Sequence, residues 1–328
     1  MAPDPGASAD SPTARIESLD LFRGFLMLIL IGADFLACYP FVPGWFKHSA
    51  VFGSISIIDL GAPLFIFAVG ISLGLVFLRS TTNGAIAAEQ RRYVRRGIVL
   101  IAFGIIGSAL QHRGILRDWE VLQTIGLAGI IALPFITMPP RGRLAAAVLL
   151  MLTFQAVGRS EYGDWLRQSD VGGLGGMLGG IAWAGVILVG SNVSAPLHAG
   201  GPRLRMLLLT MGTTGLVAAV ALLAFQPFDK RLVTASYLAL TIGLSAFTLL
   251  LFVVAASSRP RTWFIAFTVL GANALIAFIL HGLGLLGLTA LIPASSPTWA
   301  VMIGLAVLYA ICYAGAGWLY RRRRFIRL

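Results

Sequence analysis

The sequence predicts an all-α protein, a polytopic membrane helix bundle of about ten transmembrane helices. Three observations support this prediction: the composition, the length of the apolar runs and the distribution of basic residues. Hydrophobic residues make up 58% of the 328 residues and charged residues only 12%, with a mean hydropathy of +0.87. A water-soluble fold cannot bury so large an apolar fraction. The lipid bilayer is therefore the predicted environment of the chain.

The apolar runs have the length that membrane-spanning helices need, which is roughly 20 residues. Ten segments are predicted on this basis, and they cover approximately residues 20–40, 57–78, 96–111, 120–139, 143–158, 173–191, 204–225, 233–256, 263–285 and 298–320. The third and fifth segments are short. The sixth, "GGLGGMLGGIAWAGVILVG", is rich in glycine, which favours close helix packing. The sequence shows no internal repeat.

Basic residues fall in every second connection between these segments, as the positive-inside rule predicts. One side carries eighteen of the 25 lysines and arginines, namely Arg15, Arg23, Arg79, Arg91, Arg92, Arg95, Arg96, Arg141, Arg143, Arg203, Arg205, Arg259, Arg261, Arg321, Arg322, Arg323, Arg324 and Arg327. This side and both termini are therefore predicted to be cytoplasmic. The other side carries Lys47, Arg113, Arg117, Arg159, Arg167, Lys230 and Arg231, together with most of the acidic residues.

The net charge of +12 could suggest a nucleic-acid partner. The arginines, however, occur in short clusters between apolar segments without interleaved aromatic residues, so the charge indicates topology and no nucleic-acid binding is predicted. Residues 1–14, "MAPDPGASADSPTA", lack a basic region and are rich in Pro, Ala, Ser and Asp. They are predicted to form a disordered cytoplasmic tail instead of a signal peptide. Residues 15–328 are predicted to form one transmembrane domain.

The two cysteines give no indication of redox or metal chemistry. Cys38 and Cys312 both lie in apolar runs and not in a spacing typical of metal ligands or of a disulfide framework. We therefore expect neither a metal nor a redox centre.

Two aspartates lie within or at the mouth of predicted membrane segments. An ionisable side chain is costly in a membrane and indicates a functional site by default. Asp34 is about fourteen residues into the first segment, and Asp59 opens the second segment from the outer side. Each also has a structural interpretation, since Asp59 could cap a helix N-terminus and Asp34 could make a polar contact between helices.

Three of the four histidines, His48, His112 and His281, are predicted on the same outer side, and two of them are candidates for the site. His48 lies in "PGWFKHSAVFGSISIIDLGAPLFIF", eleven residues before Asp59. Imidazole has an ordinary pKa of about 6.5 and is the usual general base, and a neighbouring carboxylate can orient it. A solvated loop histidine is the alternative interpretation. His281, in "IAFILHGLGLLG", is more typical of a histidine that is hydrogen-bonded between helices.

The inner side offers guanidinium groups at the mouths of the first three segments, in "RIESLDLFRG" and "RRYVRRG". Arginine binds phosphate in a bidentate manner, so these clusters could hold a phosphorylated ligand. The alternative is that they only orient the chain in the membrane. Motifs of other reaction classes, such as a Walker loop, a G-x-S-x-G elbow or H-E-x-x-H, are absent from the sequence.

Four segments resemble the membrane-embedded heparan-alpha-glucosaminide N-acetyltransferase family and its bacterial relatives. The first, "RIESLDLFRG", is similar to the family's R-x-x-S-L-D-x-x-R-G, matched by Arg15, Ser18, Leu19, Asp20, Arg23 and Gly24. The second, "FKHSAVFGSISIIDLGAPLFIFAVGISL", is similar to the block that contains the family's acetyl-transfer histidine. The third, "EVLQTIGLAG", and the fourth, "LGANALIAFILHG", resemble two later helices. Two departures are Thr124, where relatives usually carry arginine, and Phe52, which replaces a tryptophan-asparagine pair.

The resemblance implies a transmembrane acyltransferase that moves an acetyl group from cytoplasmic acetyl-CoA to an extracytoplasmic amino sugar, glycan or glycolipid in a bacterial inner membrane. Arg15 and Arg23 would help to bind acetyl-CoA. His48 would act as general base or transient acyl carrier, and Asp59 would orient it. The passage between the two faces would be lined by Asp34, Asn273 and His281. The motifs leave homo-oligomerisation open.

Two other functions remain open at this point. A proton-coupled secondary transporter could use Asp34, Asp59 and His281 as a proton relay. The absence of an inverted repeat argues against this function. A non-catalytic subunit of an envelope-polymer complex is favoured by the missing arginine at Thr124.

Overall fold

The computed structural model describes residues 16–49, 51–82, 84–110, 119–168 and 173–325. These residues contain helices and no strand, which confirms the predicted all-α bundle. The helices are α1 (Glu17–Ala37), α2 (Gly61–Thr82), α3 (Ile86–Leu110), α4 (Val121–Ala132), α5 (Pro140–Val157), α6 (Glu161–Gln168), α7 (Gly176–Ser191), α8 (Ser194–Ala199), α9 (Pro202–Leu222), α10 (Ala235–Ser258), α11 (Ile265–Ala272), α12 (Ala274–Leu291) and α13 (Thr298–Arg321). The predicted tail, residues 1–14, lies outside the described residues.

Each of the ten predicted segments overlaps a helix, but the number of ten spans is not confirmed in full. In the described part of the chain, seven helical stretches are long and apolar enough to cross a membrane, or eight if the bent pair α5 and α6 forms one span. α1 differs from a simple apolar span because it carries Glu17, Asp20, Arg23 and Asp34. α4 has only 12 residues before it tightens into a 3₁₀ turn.

The predicted ninth segment is not one continuous helix. It is interrupted at Asn273, where the backbone leaves the helical region (φ −131°, ψ 46°) between α11 and α12. The Asn273 side chain is fully buried, and its amide nitrogen lies 3.5 Å from the Ala316 carbonyl oxygen of α13. An asparagine competes with the backbone for hydrogen bonds and is therefore favoured at helix ends and breaks.

Helix α1 lies at the centre of one half of the bundle, in contact with α2, α10, α11, α12 and α13. Its backbone meets that of α11 at two glycines. A Cβ atom on Gly24 would lie 1.8 Å from the Phe267 carbonyl oxygen, and one on Gly271 would lie 1.8 Å from the Asp20 carbonyl oxygen. Only glycine permits such an approach, which explains the glycine that ends the first motif.

Helix α7 lies at the centre of the other half and packs on α2, α4 and α5. The close helix packing predicted for the glycine-rich sixth segment is found here, since Gly70 of α2 and Gly190 of α7 bring the two helices together. Their Cβ positions would meet the carbonyl oxygens of Ile187 and Phe67 at 2.3 and 2.5 Å. α7 is consequently buried along nearly its whole length.

Several helices expose large apolar side chains on the outside of the bundle. Examples are Ile98 and Phe103 on α3, Leu149 on α5 and Val217 on α9. Exposed apolar surface of this extent is stable in contact with lipid and not with water. The fold and composition together indicate a multi-pass membrane protein.

Candidate functional site

The site forms where two connections meet at one end of the bundle. The first, residues 38–57 between α1 and α2, is called the histidine loop here because it carries His48. The second, residues 223–234 between α9 and α10, is called the lysine loop because it carries Lys230. A 3₁₀ turn, Ile58–Leu60, follows the histidine loop and places Asp59 directly before α2.

His48 and Asp59 are in direct contact. The Nδ1 atom of His48 lies 2.8 Å from Oδ1 of Asp59. A carboxylate can only accept, so Nδ1 carries the hydrogen and donates it, which leaves Nε2 as the second functional nitrogen of a neutral ring. The imidazole is 48% exposed, whereas the Asp59 side chain is fully buried. A buried carboxylate therefore holds the Nδ1 side of His48, while about half of the side-chain surface stays exposed.

The Asp59 carboxylate is enclosed by donors. Its Oδ2 atom accepts the backbone N–H groups of Ser49 (3.1 Å) and Ser56 (2.9 Å). Its Oδ1 atom accepts from His48 and from the Lys230 ammonium group at 2.6 Å. The Tyr237 hydroxyl donates to the backbone carbonyl of Asp59. A buried charge requires partners of this kind, and they direct Asp59 toward His48 instead of toward a helix-capping role.

Asp34 lies on the other side of the imidazole, one turn before the end of α1. Its Oδ1 atom is 3.4 Å from Nε2 of His48, and its Oδ2 atom is 3.7 Å from Nε2 of His281 on α12. The Asp34 carboxylate is 28% exposed. It therefore bridges the two histidines near the C-terminal end of α1.

Hydrogen bonds to Asp34 and then to Asp59 raise the pKa of His48 from its ordinary 6.5 to about 9, against the lowering effects of burial and of the Lys230 charge. The imidazole is consequently protonated at neutral pH in the free protein, and the neutral base form is reached as the pH rises toward 9. This is higher than the titration near 6.5 expected of an unperturbed histidine.

Lys230 is the member of the site that the sequence analysis did not single out. Its ammonium nitrogen lies 2.6 Å from Asp59 and 3.0 Å from Nδ1 of His48, and its side chain is only 16% exposed. The available signal is the pair Asp229 and Lys230 on the predicted outer side, where basic residues are few. No local pattern, however, links residue 230 to residue 59.

His281 is buried, with 4% of its side chain exposed. Neither of its ring nitrogens has a hydrogen-bond partner among the described residues. The interpretation of a histidine hydrogen-bonded between helices is therefore not what the structure shows. The imidazole instead faces the Asp34 carboxylate across 3.7 Å.

Arg23 points into the bundle and not out of it. The residue is half-buried, and its guanidinium group donates to the hydroxyl of Ser72 on α2. Arg23 and Asp34 are eleven residues apart, which places them on the same face of α1 and about 16 Å from each other along its axis. Arg15, the other predicted donor-binding arginine, lies outside the described residues.

Asn273 is separate from the histidine cluster. It precedes His281 by eight residues, or about 12 Å along α12. Thr124, the position at which an arginine was expected, lies in the first turn of α4 and is fully buried. The structure thus brings together His48, Asp59, Asp34 and His281, whereas Arg23 and Asn273 lie about 16 Å and about 12 Å away along their helices.

Comparison with known proteins gives a match to a family model over part of the chain. Residues 15–169, a little under half of the chain, match the model of the heparan-alpha-glucosaminide N-acetyltransferase catalytic domain. No curated protein matches the chain. The match confirms the resemblance drawn from the motifs, and it indicates a membrane acetyltransferase in general terms. It includes Arg23, Asp34, His48 and Asp59 and ends before Lys230.

Proposed function

We propose, from the match of residues 15–169 to the catalytic domain of heparan-alpha-glucosaminide N-acetyltransferases, that this protein transfers an acetyl group across the membrane. The donor is cytoplasmic acetyl-CoA, and the acceptor is an amino sugar, glycan or glycolipid on the extracytoplasmic side. The observation that carries the proposal is the imidazole of His48 held between two carboxylates, with Nδ1 on the buried Asp59 and Nε2 toward the partly exposed Asp34.

His48 has the geometry of a general base. Because Asp59 accepts the Nδ1 hydrogen, the lone pair of the neutral ring resides on Nε2, the nitrogen that lies beside the partly exposed Asp34 carboxylate. Nε2 can take the proton of an acceptor amine or hydroxyl and later return it to the leaving group. In a two-step route the same nitrogen would carry the acyl group transiently before the acceptor takes it.

Donor binding is assigned to arginines at the opposite end of the first helices. Acetyl-CoA, when bound, supplies a thioester carbonyl as the electrophile. Its phosphates require guanidinium groups, and Arg91, Arg92 and Arg95 at the start of α3 are exposed. Arg23 lies on the face of α1 that carries Asp34, about 16 Å from it along the helix axis. An acetyl-CoA molecule that lay along this face, with its phosphates on the inner arginines, would direct its acetyl group toward His48.

The proposed membrane orientation agrees with this arrangement, in which the arginines and His48 lie at opposite ends of the first helices. Eighteen basic residues on alternate connections support cytoplasmic termini, which puts the arginines inside and His48 outside. The acceptor would then approach His48 from the extracytoplasmic side.

One observation favours a second function, proton-coupled transport. His281, Asp34, His48 and Asp59 form an uninterrupted line of ionisable groups with separations of 3.7, 3.4 and 2.8 Å. Such lines carry protons in transporters. The family match favours acyl transfer over this function.

The test uses the purified full-length protein in liposomes with acetyl-CoA labelled in the acetyl group. Amino sugars and envelope glycolipid fractions are supplied on the outside, and both CoA release and label transfer are measured. We expect both in the wild type and neither in H48A. A proton-sensitive dye in the same vesicles reports on the second function. Proton flux without CoA release would overturn the proposal in favour of transport.

A further inference from the structure

The lysine loop folds around the buried carboxylate of Asp229. This carboxylate is 98% buried and accepts the backbone N–H groups of Gly53 (2.7 Å), Arg231 (2.8 Å) and Leu232 (2.8 Å). The bond to Gly53 ties the lysine loop directly to the histidine loop. The Arg231 guanidinium also lies over the Phe52 ring, 4.4 Å from its centre. The two loops therefore form one unit at the mouth of the bundle.

Lys230 is held along its whole length within this unit. Its backbone carbonyl accepts the N–H of Leu174 at 3.1 Å. Its aliphatic chain packs against Gly173, where a Cβ atom would lie 2.5 Å from the lysine Cε. Its ammonium nitrogen reaches Asp59 at 2.6 Å. A lysine that is 84% buried is uncommon, because the charge loses hydration unless a partner compensates for it.

The Lys230 ammonium and the Nδ1–H of His48 share one acceptor, Oδ1 of Asp59, and lie 3.0 Å from each other. Protonation of the imidazole would therefore place a positive charge next to that of the Lys230 ammonium group. The charged groups that face His48 are Asp34 from α1, Asp59 from the 3₁₀ turn and Lys230 from the lysine loop, with His281 of α12 beyond Asp34. The two carboxylates favour the imidazolium, and Lys230 is the group that opposes it.

We propose that Lys230 is a positioning residue of the site, which holds the Asp59 carboxylate against His48 and favours the neutral imidazole with its hydrogen on Nδ1. The proposal rests on the proposed function, since it is the neutral Nε2 that would act as base. It extends the site beyond residues 15–169, because the lysine loop comes from the second half of the chain.

The test compares K230Q, which removes the charge, with K230R, which retains it. The full-length protein is labelled with ¹³C at histidine and titrated by NMR in lipid nanodiscs, and the signal of His48 is assigned by its absence in H48A. In K230Q the midpoint of His48 should move to higher pH by about 1 to 3 units, the range expected for one charge at this distance. In K230R it should stay close to that of the wild type.

The acetyl-transfer rate gives a second readout. At pH 8 the neutral fraction of His48 falls about tenfold for each unit by which its midpoint rises, so K230Q should lose at least that factor and K230R should retain most of the rate. The matched control is K47Q, which removes a lysine charge next to His48 in the sequence. Among the described residues, Lys47 is not a hydrogen-bond partner of the Asp59 carboxylate. It should shift neither readout.

The outcomes separate this proposal from the function on which it rests. If the wild type transfers acetyl groups but K230Q leaves the His48 midpoint unchanged, the positioning role is wrong. Equal loss of stability in K230Q and K230R without any shift of the midpoint would indicate a purely structural lysine and would also overturn it. A shifted midpoint in a protein without acetyl transfer would retain the positioning role and remove the proposed function.

Discussion

Nδ1 of His48, in the middle of the histidine loop, lies 2.8 Å from Oδ1 of Asp59, in the 3₁₀ turn that follows the loop. The contact pairs a half-exposed base with a fully buried carboxylate. This is the arrangement in which a histidine keeps one tautomer and presents the other nitrogen to a reactant.

Replacement of His48 by alanine should abolish acetyl transfer and leave the fold intact. A general base contributes about 10²–10⁴-fold to the rate, and loss of an acyl carrier would cost more. The imidazole is half-exposed, so its removal creates little or no cavity in the core. Transfer is measured with labelled acetyl-CoA, and folding by thermal unfolding in detergent. H198A, which removes an exposed histidine outside the site, is the control and should retain the wild-type rate.

Replacement of Asp34 by asparagine should move the titration of His48 to lower pH. The hydrogen bond to Asp34 is the largest cause of the raised pKa of His48, about 9, and its loss removes a stabiliser of the imidazolium. The neutral base would then form at lower pH, and the rising limb of the pH–rate profile should shift from near 9 toward 6.5. NMR titration of His48 checks this independently of the rate. A midpoint that stays near 9 in D34N would show that Asp34 does not control the ring.

Replacement of Arg23 by glutamine should weaken the binding of CoA. A hydrogen bond to a charged group is worth about 1.5–3 kcal/mol, which corresponds to an order of magnitude or more in affinity. Calorimetric titration of CoA measures the effect, and R259Q is the control, since Arg259 is paired with Trp263 on the same predicted side. S72A should reproduce part of the loss, because Ser72 holds the guanidinium inside the bundle. Unchanged CoA affinity in R23Q would remove Arg23 from the donor site.

Replacement of Gly24 by alanine adds only one methyl group but should destabilise the protein clearly. The added Cβ would lie 1.8 Å from the Phe267 carbonyl oxygen, so α1 and α11 must separate. Overpacking of this kind costs about 1–3 kcal/mol or more. The control is G282A on α12, where the added carbon meets no atom within 4 Å. Thermal unfolding should show a clear loss for G24A and none for G282A, and equal midpoints would contradict the close packing.

The sequence predicted the parts of this protein that depend on neighbouring residues. Apolar runs of sufficient length identify membrane helices, because partition into lipid and helix formation are both local properties. His48, Asp59 and Asp34 could be selected because they interrupt or border such runs, and the motif in which His48 and Asp59 occur resembles that of a known family. Composition alone was enough to exclude a water-soluble fold.

Only the tertiary structure determined how these parts are combined. Lys230 reaches Asp59 across 171 positions of sequence, the Arg23 side chain turns inward to Ser72, and the predicted ninth helix is interrupted at Asn273. The protonation behaviour of His48 likewise depends on three charges brought together from α1, the turn before α2 and the lysine loop. Such contacts arise from helix packing, which joins distant segments through the shapes of whole surfaces. A local sequence pattern determines which residues enter the membrane, but it carries no information about which of them meet there.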